Sequence, residues 1–110
     1  MQKSSLTALV RRHLQLAESA SSGRSSLTVY GGHEHVLRQT LIVLATGQVL
    51  HEHENPGEAT VHVLHGHVRL GTAETSWEGL PGDLLIVPDS KHSLEAVSAA
   101  AVLLTVAKHP

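Results

Sequence analysis

The chain has 110 residues, contains no cysteine and carries a formal net charge of −2, from 8 basic and 10 acidic side chains. The absence of cysteine excludes disulfides and thiolate metal sites, and the balanced charge argues against nucleic acid, which binds a basic face. No apolar run approaches the about 20 residues of a membrane span, and no signal-peptide pattern follows Met1, so we expect one cytoplasmic domain with no membrane partner.

The first predicted element is an amphipathic helix. Ser4 and Ser5 can both cap a helix, and leucine, valine and alanine then recur at helical spacing as far as Ala17. The serines and Gly23 that follow end this pattern. We therefore assign residues 1–22 to an N-terminal helix and residues 23–110 to a β domain.

After Gly23 the helical period gives way to short segments rich in leucine, isoleucine and valine, separated by glycine and proline turn signals. The predicted strands are residues 26–30, 36–45, 48–54, 60–65, 67–71, 76–78, 84–87, 92–97 and 101–107. About nine short strands with frequent turns are typical of an all-β sandwich or barrel.

Histidine is the unusual component, since it occurs ten times in a chain that has only one Trp, one Tyr and no Phe. The densest group of metal-ligand side chains lies between Gly47 and Gly66, where two predicted strands flank a Pro-Gly turn. A further histidine, His92, begins a later predicted strand. Imidazoles from two separated strands predict a polar site inside an otherwise aliphatic β fold.

Residues 37 to 106 resemble the cupin family, which consists of small β-barrels of jelly-roll type. The family's second motif is a glycine, five residues, a proline and, further on, a histidine. Gly82, Pro88 and His92 match it, although the distance from proline to histidine is one residue shorter, and Ala96 stands where the family has asparagine. The resemblance implies an all-β cupin jelly-roll barrel with an N-terminal α-helix, and pairing of two copies into a homodimer.

Two alignments of the first cupin motif compete. The first uses His51, His53 and Glu58, which keeps every ligand type but breaks both glycine spacings. The second starts at Gly47 and ends at Gly66 with every spacing intact, and it places His53 at the first histidine position. It also puts Asn55 at the second histidine position and Ala59 at the glutamate position.

Strand alternation distinguishes the two alignments, because successive side chains point to opposite faces. The second alignment directs Ala59, Val61 and Val63 inward, whereas the first directs Glu58 and His62 inward. We favour the second, because a buried carboxylate costs several kcal/mol unless it is paired. Under either alignment His51, His53 and Asn55 are expected to share one face.

In many cupins the motif histidines and glutamate hold one divalent metal. The resemblance therefore implies His51, His53 and His92 as candidate ligands of Zn, Ni, Fe, Mn or Cu, with a site that holds no metal as the alternative. A small-molecule ligand would also contact polar groups near this site. The candidate ligand-binding residues are Asn55, Glu58, His62 and, if it points inward rather than Gln39, Arg38.

Three functions remain open at this stage. The substituted motif favours a non-catalytic module that binds a small ligand in the barrel pocket. An intact metal site would instead favour a dioxygenase or isomerase of cupin type, and the many histidines would suit a metal-buffering protein. The sequence contains no nucleophile motif and no phosphate-binding loop, so it identifies no catalytic residue.

Overall fold

The computed structural model describes residues 2–53 and 57–108, with residues 52 and 53 described by their backbone alone. One helix precedes nine strands. In chain order they are α1 (Leu6–Ser19), β1 (Arg24–Gly31), β2 (Leu37–Leu44), β3 (Val49–His53), β4 (Gly57–His65), β5 (Val68–Gly71), β6 (Ser76–Gly79), β7 (Leu84–Ile86), β8 (His92–Ala96) and β9 (Ala100–Lys108). Within the described residues, no helix has the length and apolar character needed to cross a bilayer.

The strands form two antiparallel sheets. The larger has the order β1-β2-β9-β4-β7 and the smaller has the order β3-β8-β5-β6. Neighbours within each sheet are mostly distant in sequence, which is the arrangement of a jelly roll rather than of a simple meander. The predicted all-β jelly roll with an N-terminal helix is confirmed.

The main core lies between the two sheets and is aliphatic. Alternation along β4 shows how it forms, because Ala59, Val61 and Val63 are 6%, 4% and 0% exposed while the residues between them point to the other face. The facing sheet contributes Val68 and Leu70 of β5 to the same cluster. The buried core of the described residues consists of leucine, valine and alanine side chains.

Helix α1 covers part of the outer face of the larger sheet. Ser5 caps it by accepting a hydrogen bond from the Ala8 amide at 3.2 Å. Val10 and Ala17 pack against the outer side chains of β2 and β9. His13 is 9% exposed, and its Nδ1 lies 2.6 Å from the Ser25 hydroxyl oxygen, which ties the helix to β1.

The core has two distinct ends. At one end, shortly after β2, the amide of Gly47 donates a hydrogen bond to the carbonyl oxygen of Ala96, the last residue of β8. At the other end β8 begins at His92, and Val106 is the register partner of both Arg38 and Ala59. We call this second end, which is formed by Arg38, Ala59, His92 and Val106, the histidine end.

Candidate functional site

His92 is the one polar side chain of the described inner face that is almost fully buried, with 3% exposure. Its Nδ1 lies 2.9 Å from the carbonyl oxygen of Ser90. A carbonyl oxygen can only accept a hydrogen bond, so Nδ1 carries the hydrogen and Nε2 has the lone pair in the neutral ring. This is the arrangement that orients histidine ligands in metal sites, and it serves equally for accepting a hydrogen bond from a ligand.

His53 lies beside His92 on the neighbouring strand, because the two residues are register partners in the β3–β8 pair. The prediction that these two positions meet is therefore confirmed for the backbone. The same pair contains a register shift between Leu50 and His53. One extra residue in a strand interrupts the alternation of faces, and the side chain of His53 lies outside the described part, so the expected common face of His51 and His53 stays a prediction. Leu50 packs against the core and the next side chain, His51, is exposed.

Strand β4 decides between the two alignments of the first motif. Ala59 faces the core and is 6% exposed, whereas Glu58 is exposed on the opposite face. His62 shares the outer face with Glu58 and is half-buried there. The alignment that placed Glu58 and His62 inside is wrong, because aliphatic rather than ionisable side chains of β4 fill the space between the sheets.

Arg38, not Gln39, lies on the inner face of β2. Arg38 is half-buried and pairs in register with Val106, which belongs to the core. Gln39 points outward, where its amide donates to the hydroxyl of Thr105 at 3.2 Å. The histidine end therefore combines a cationic guanidinium and an imidazole. Asn55, the fourth predicted ligand-binding residue, lies outside the described residues.

A cavity of about 20 Å³ lies beside His92, which is about the volume that a single water molecule needs. Its lining is aliphatic apart from the imidazole and consists of Ile42, Leu50, Val61, Leu70, His92, Leu94, Val102 and Leu104. A larger ligand would therefore bind at the mouth of the histidine end.

The described side chains do not form a metal site by themselves. Among them, a set that leaves out the side chains of residues 52–56, no three of the metal-binding types come together. The position that would supply a carboxylate holds Ala59, whose methyl group has no lone pair. Protein sites that hold zinc firmly use three or four donors, so the described part of this chain lacks the set that the cupin motif implies.

A charged cluster on the outer face of the smaller sheet was missed at the sequence level. Arg69 bonds Glu78 at 3.0 Å and Glu95 at 3.2 Å, and Nε2 of His67 lies 2.9 Å from Glu78. Hydrogen bonds from His67 and then from Arg69 lower the pKa of Glu78, and the bond to Glu78 raises the pKa of Arg69. The sequence signal for the Arg69–Glu78 pair is the β5–β6 hairpin, because the two residues lie at equal distances from its turn and are therefore register partners.

Comparisons with known proteins identify the fold. No protein-family model matches the chain, and no curated protein matches it. Among solved structures, a cupin superfamily protein from Desulfitobacterium hafniense superposes with a TM-score of 0.74 at 20% identity, over 87% of this chain and 87% of that one. A conserved protein of unknown function from Streptococcus pyogenes has a TM-score of 0.73 at 27% identity, over 83% and 79% of the two chains.

An enzyme is also among the structural neighbours. Salicylate 1,2-dioxygenase from Pseudaminobacter salicylatoxidans superposes with a TM-score of 0.74 at 16% identity, over 91% of this chain. The match covers 33% of the dioxygenase chain, so this chain spans about a third of its length. The likeness concerns the fold alone. The chain therefore has the fold of a small cupin-type domain.

Proposed function

We propose that this chain is a non-catalytic binding module that takes a small carboxylate at the histidine end of its jelly roll. The observation that supports the proposal is the position of His92, a buried imidazole at the edge of an aliphatic core, with Arg38 on the inner face of the same end. Binding sites for small molecules are commonly apolar with a few polar groups that fix orientation. Both components are present here.

The two polar groups suit an anionic ligand. A guanidinium presents a planar fork of donors that matches a carboxylate, and such charge-assisted bonds are stronger than neutral ones. His92 supplies an acceptor when neutral and a further donor when protonated. Ala59 and Val106, which are buried beside Arg38, make this end of the core apolar.

An NMR titration tests this proposal. The protein is titrated with small monocarboxylates and with the corresponding neutral amides, while backbone amide signals are followed. We expect the carboxylates to shift signals around Arg38 and His92, and the amides to have little effect. Arg38→Gln removes the charge and should weaken binding about tenfold or more, as expected for a hydrogen bond to a charged group. Gln39→Ala, one residue away on the outer face, is the matched control and should bind normally.

The proposal fails if both ligand types shift the same signals equally, or if the shifts map to the outer face of the larger sheet. It also fails if Arg38→Gln and Gln39→Ala bind with the same affinity.

A second candidate function is weak binding of a divalent metal by His53 and His92. It is favoured by the hydrogen bond from Nδ1 of His92 to the Ser90 carbonyl, since this bond fixes the tautomer that has its lone pair on Nε2. Zinc titration followed by NMR tests it, with saturation expected in the micromolar range or weaker. The candidate is rejected if His92→Ala leaves the zinc affinity unchanged.

A further inference from the structure

Helix α1 leaves an apolar groove on the outer face of the larger sheet, away from the histidine end. The helix packs mainly on β1, β2 and β9, so the outer side of β4 beside it stays open. Two cavities of about 360 and 430 Å³ occupy this space. Both are lined by Leu14 and His65, so they lie end to end along the helix.

The groove has an apolar floor that follows the helix. Leu6, Val10 and Leu14 line its first half from the helix side, and Leu64 lines it from β4. Ala17 continues the helical wall in the second half. At a rise of 1.5 Å per residue, the stretch from Leu6 to Ala17 is about 17 Å long, which suits a linear molecule rather than a compact one.

The two halves of the groove carry opposite charges. The guanidinium of Arg11 lines the first cavity, and the carboxylate of Glu18 lines the second. An anionic head group is therefore favoured beside Arg11 and disfavoured beside Glu18. Apart from His65, which lines both cavities, the region between the two charges is mostly lined by leucine, valine and alanine, which suits a hydrocarbon chain.

We infer that this groove binds a linear amphipathic carboxylate of the medium-chain fatty-acid class. The carboxylate pairs with the guanidinium of Arg11, and the hydrocarbon chain runs along Leu14 towards Ala17 and Ala45. The site lies on the outer face of the sheet and is independent of the carboxylate site proposed at the histidine end.

Calorimetric titration with decanoate, below the concentration at which it forms micelles, tests the head-group contact. We expect one decanoate per chain and weaker binding of decyltrimethylammonium, which has the same tail and the opposite charge. Arg11→Gln should weaken decanoate binding about tenfold. Arg12→Gln removes the neighbouring charge on the same helix, outside the groove lining, and should leave the affinity unchanged.

A second variant tests the direction of the tail. Ala45→Leu narrows the far half of the groove, so it should weaken decanoate binding several-fold while hexanoate binding stays unchanged. Thermal melts of each variant establish that it is folded before the affinities are compared.

The inference is overturned if decanoate does not bind at millimolar concentration, or if the cationic analogue binds equally well. Equal losses for Arg11→Gln and Arg12→Gln also overturn it. Sedimentation distinguishes two other occupants of the groove. If the protein sediments as a dimer that does not bind decanoate, a second copy of the chain occupies the groove. If the protein sediments with anionic vesicles but does not bind free decanoate, the groove contacts a membrane surface. Either result replaces the fatty-acid assignment.

Discussion

At the residue scale, the chemistry of the histidine end depends on the tautomer of one imidazole. His92 donates from Nδ1 to the carbonyl oxygen of Ser90. We therefore predict that the neutral ring has its hydrogen on Nδ1 and its lone pair on Nε2. Long-range proton–nitrogen correlation spectra of the imidazole at alkaline pH measure this directly, and a hydrogen found on Nε2 would contradict the assignment.

Positions 58 and 59 give a second prediction at this scale. Ala59→Glu places a carboxylate among aliphatic side chains and should lower the free energy of unfolding by about 3 kcal/mol or more. Glu58→Ala removes an exposed carboxylate on the other face and should change it by less than about 0.5 kcal/mol. Urea denaturation of both variants measures the difference. The opposite order would restore the alignment that places Glu58 inside.

The sequence predicts whether a residue faces the core or the solvent where the alternative would bury a charged side chain. The inward direction of Ala59 follows from the cost of burying the alternative, Glu58, and the structure confirms it. The choice between Arg38 and Gln39 did not follow from the sequence. Both residues lie in one strand with polar side chains of similar length, and only the register with Val106 shows which of them faces the core.

At the element scale, the turn at Gly66 determines how β4 leads into β5. Gly66 has a φ of +78°, and a Cβ there would overlap the carbonyl oxygen of Ala99. Gly82 has a φ of +93°, with no atom near the position of a Cβ. Gly82→Ala should therefore cost about 1–2 kcal/mol from backbone strain alone.

Gly66→Ala should cost at least about twice as much, because the overlap with backbone adds to the same strain. Urea denaturation of the two variants under identical conditions measures both losses. Equal losses would show that the approach to Ala99 relaxes without cost.

The charged cluster on β5, β6 and β8 gives a pH-dependent prediction. The pKa of Glu78 is lowered in the folded protein by hydrogen bonds from His67 and Arg69. A carboxylate of this kind stabilises the fold above its unfolded-state pKa of about 4.3, and the stabilisation is lost as the pH falls through the lower folded-state value.

Thermal melts across this range test the prediction with two variants. Glu78→Gln should melt below the wild type near neutral pH, and the gap should close as the pH falls through the lowered folded-state pKa of Glu78. Glu74→Gln, in the turn of the same hairpin, is the control and should show no such trend. A gap that stays constant with pH would exclude the charge of Glu78 as its cause.

Helices and strands were predictable from the regular spacing of their apolar residues. Features that depend on which strands pair, and in what register, were not. The helix and the strands occur where apolar spacing predicts them. The irregularity between Leu50 and His53 has no glycine or proline to indicate it, because it arises from pairing with β8. The contacts of Arg69 with Glu78 and Glu95 likewise require the register of three strands.

At the scale of the whole molecule, the larger sheet separates two apolar environments. Its inner face packs on the smaller sheet to form the aliphatic core, with a cavity of about 20 Å³ beside His92. Its outer face is covered by α1 only in part, which leaves the groove along Leu14 and His65. The proposed ligand sites occupy one environment each, so substitutions in one should leave binding in the other unchanged.

The most direct test of the account is calorimetric titration of the untagged protein with a small carboxylate, with and without a strong metal chelator. A module that binds through Arg38 and His92 gives the same affinity in both titrations, and Arg38→Gln weakens it about tenfold. Binding that disappears with the chelator and returns with one equivalent of a divalent metal would contradict the account.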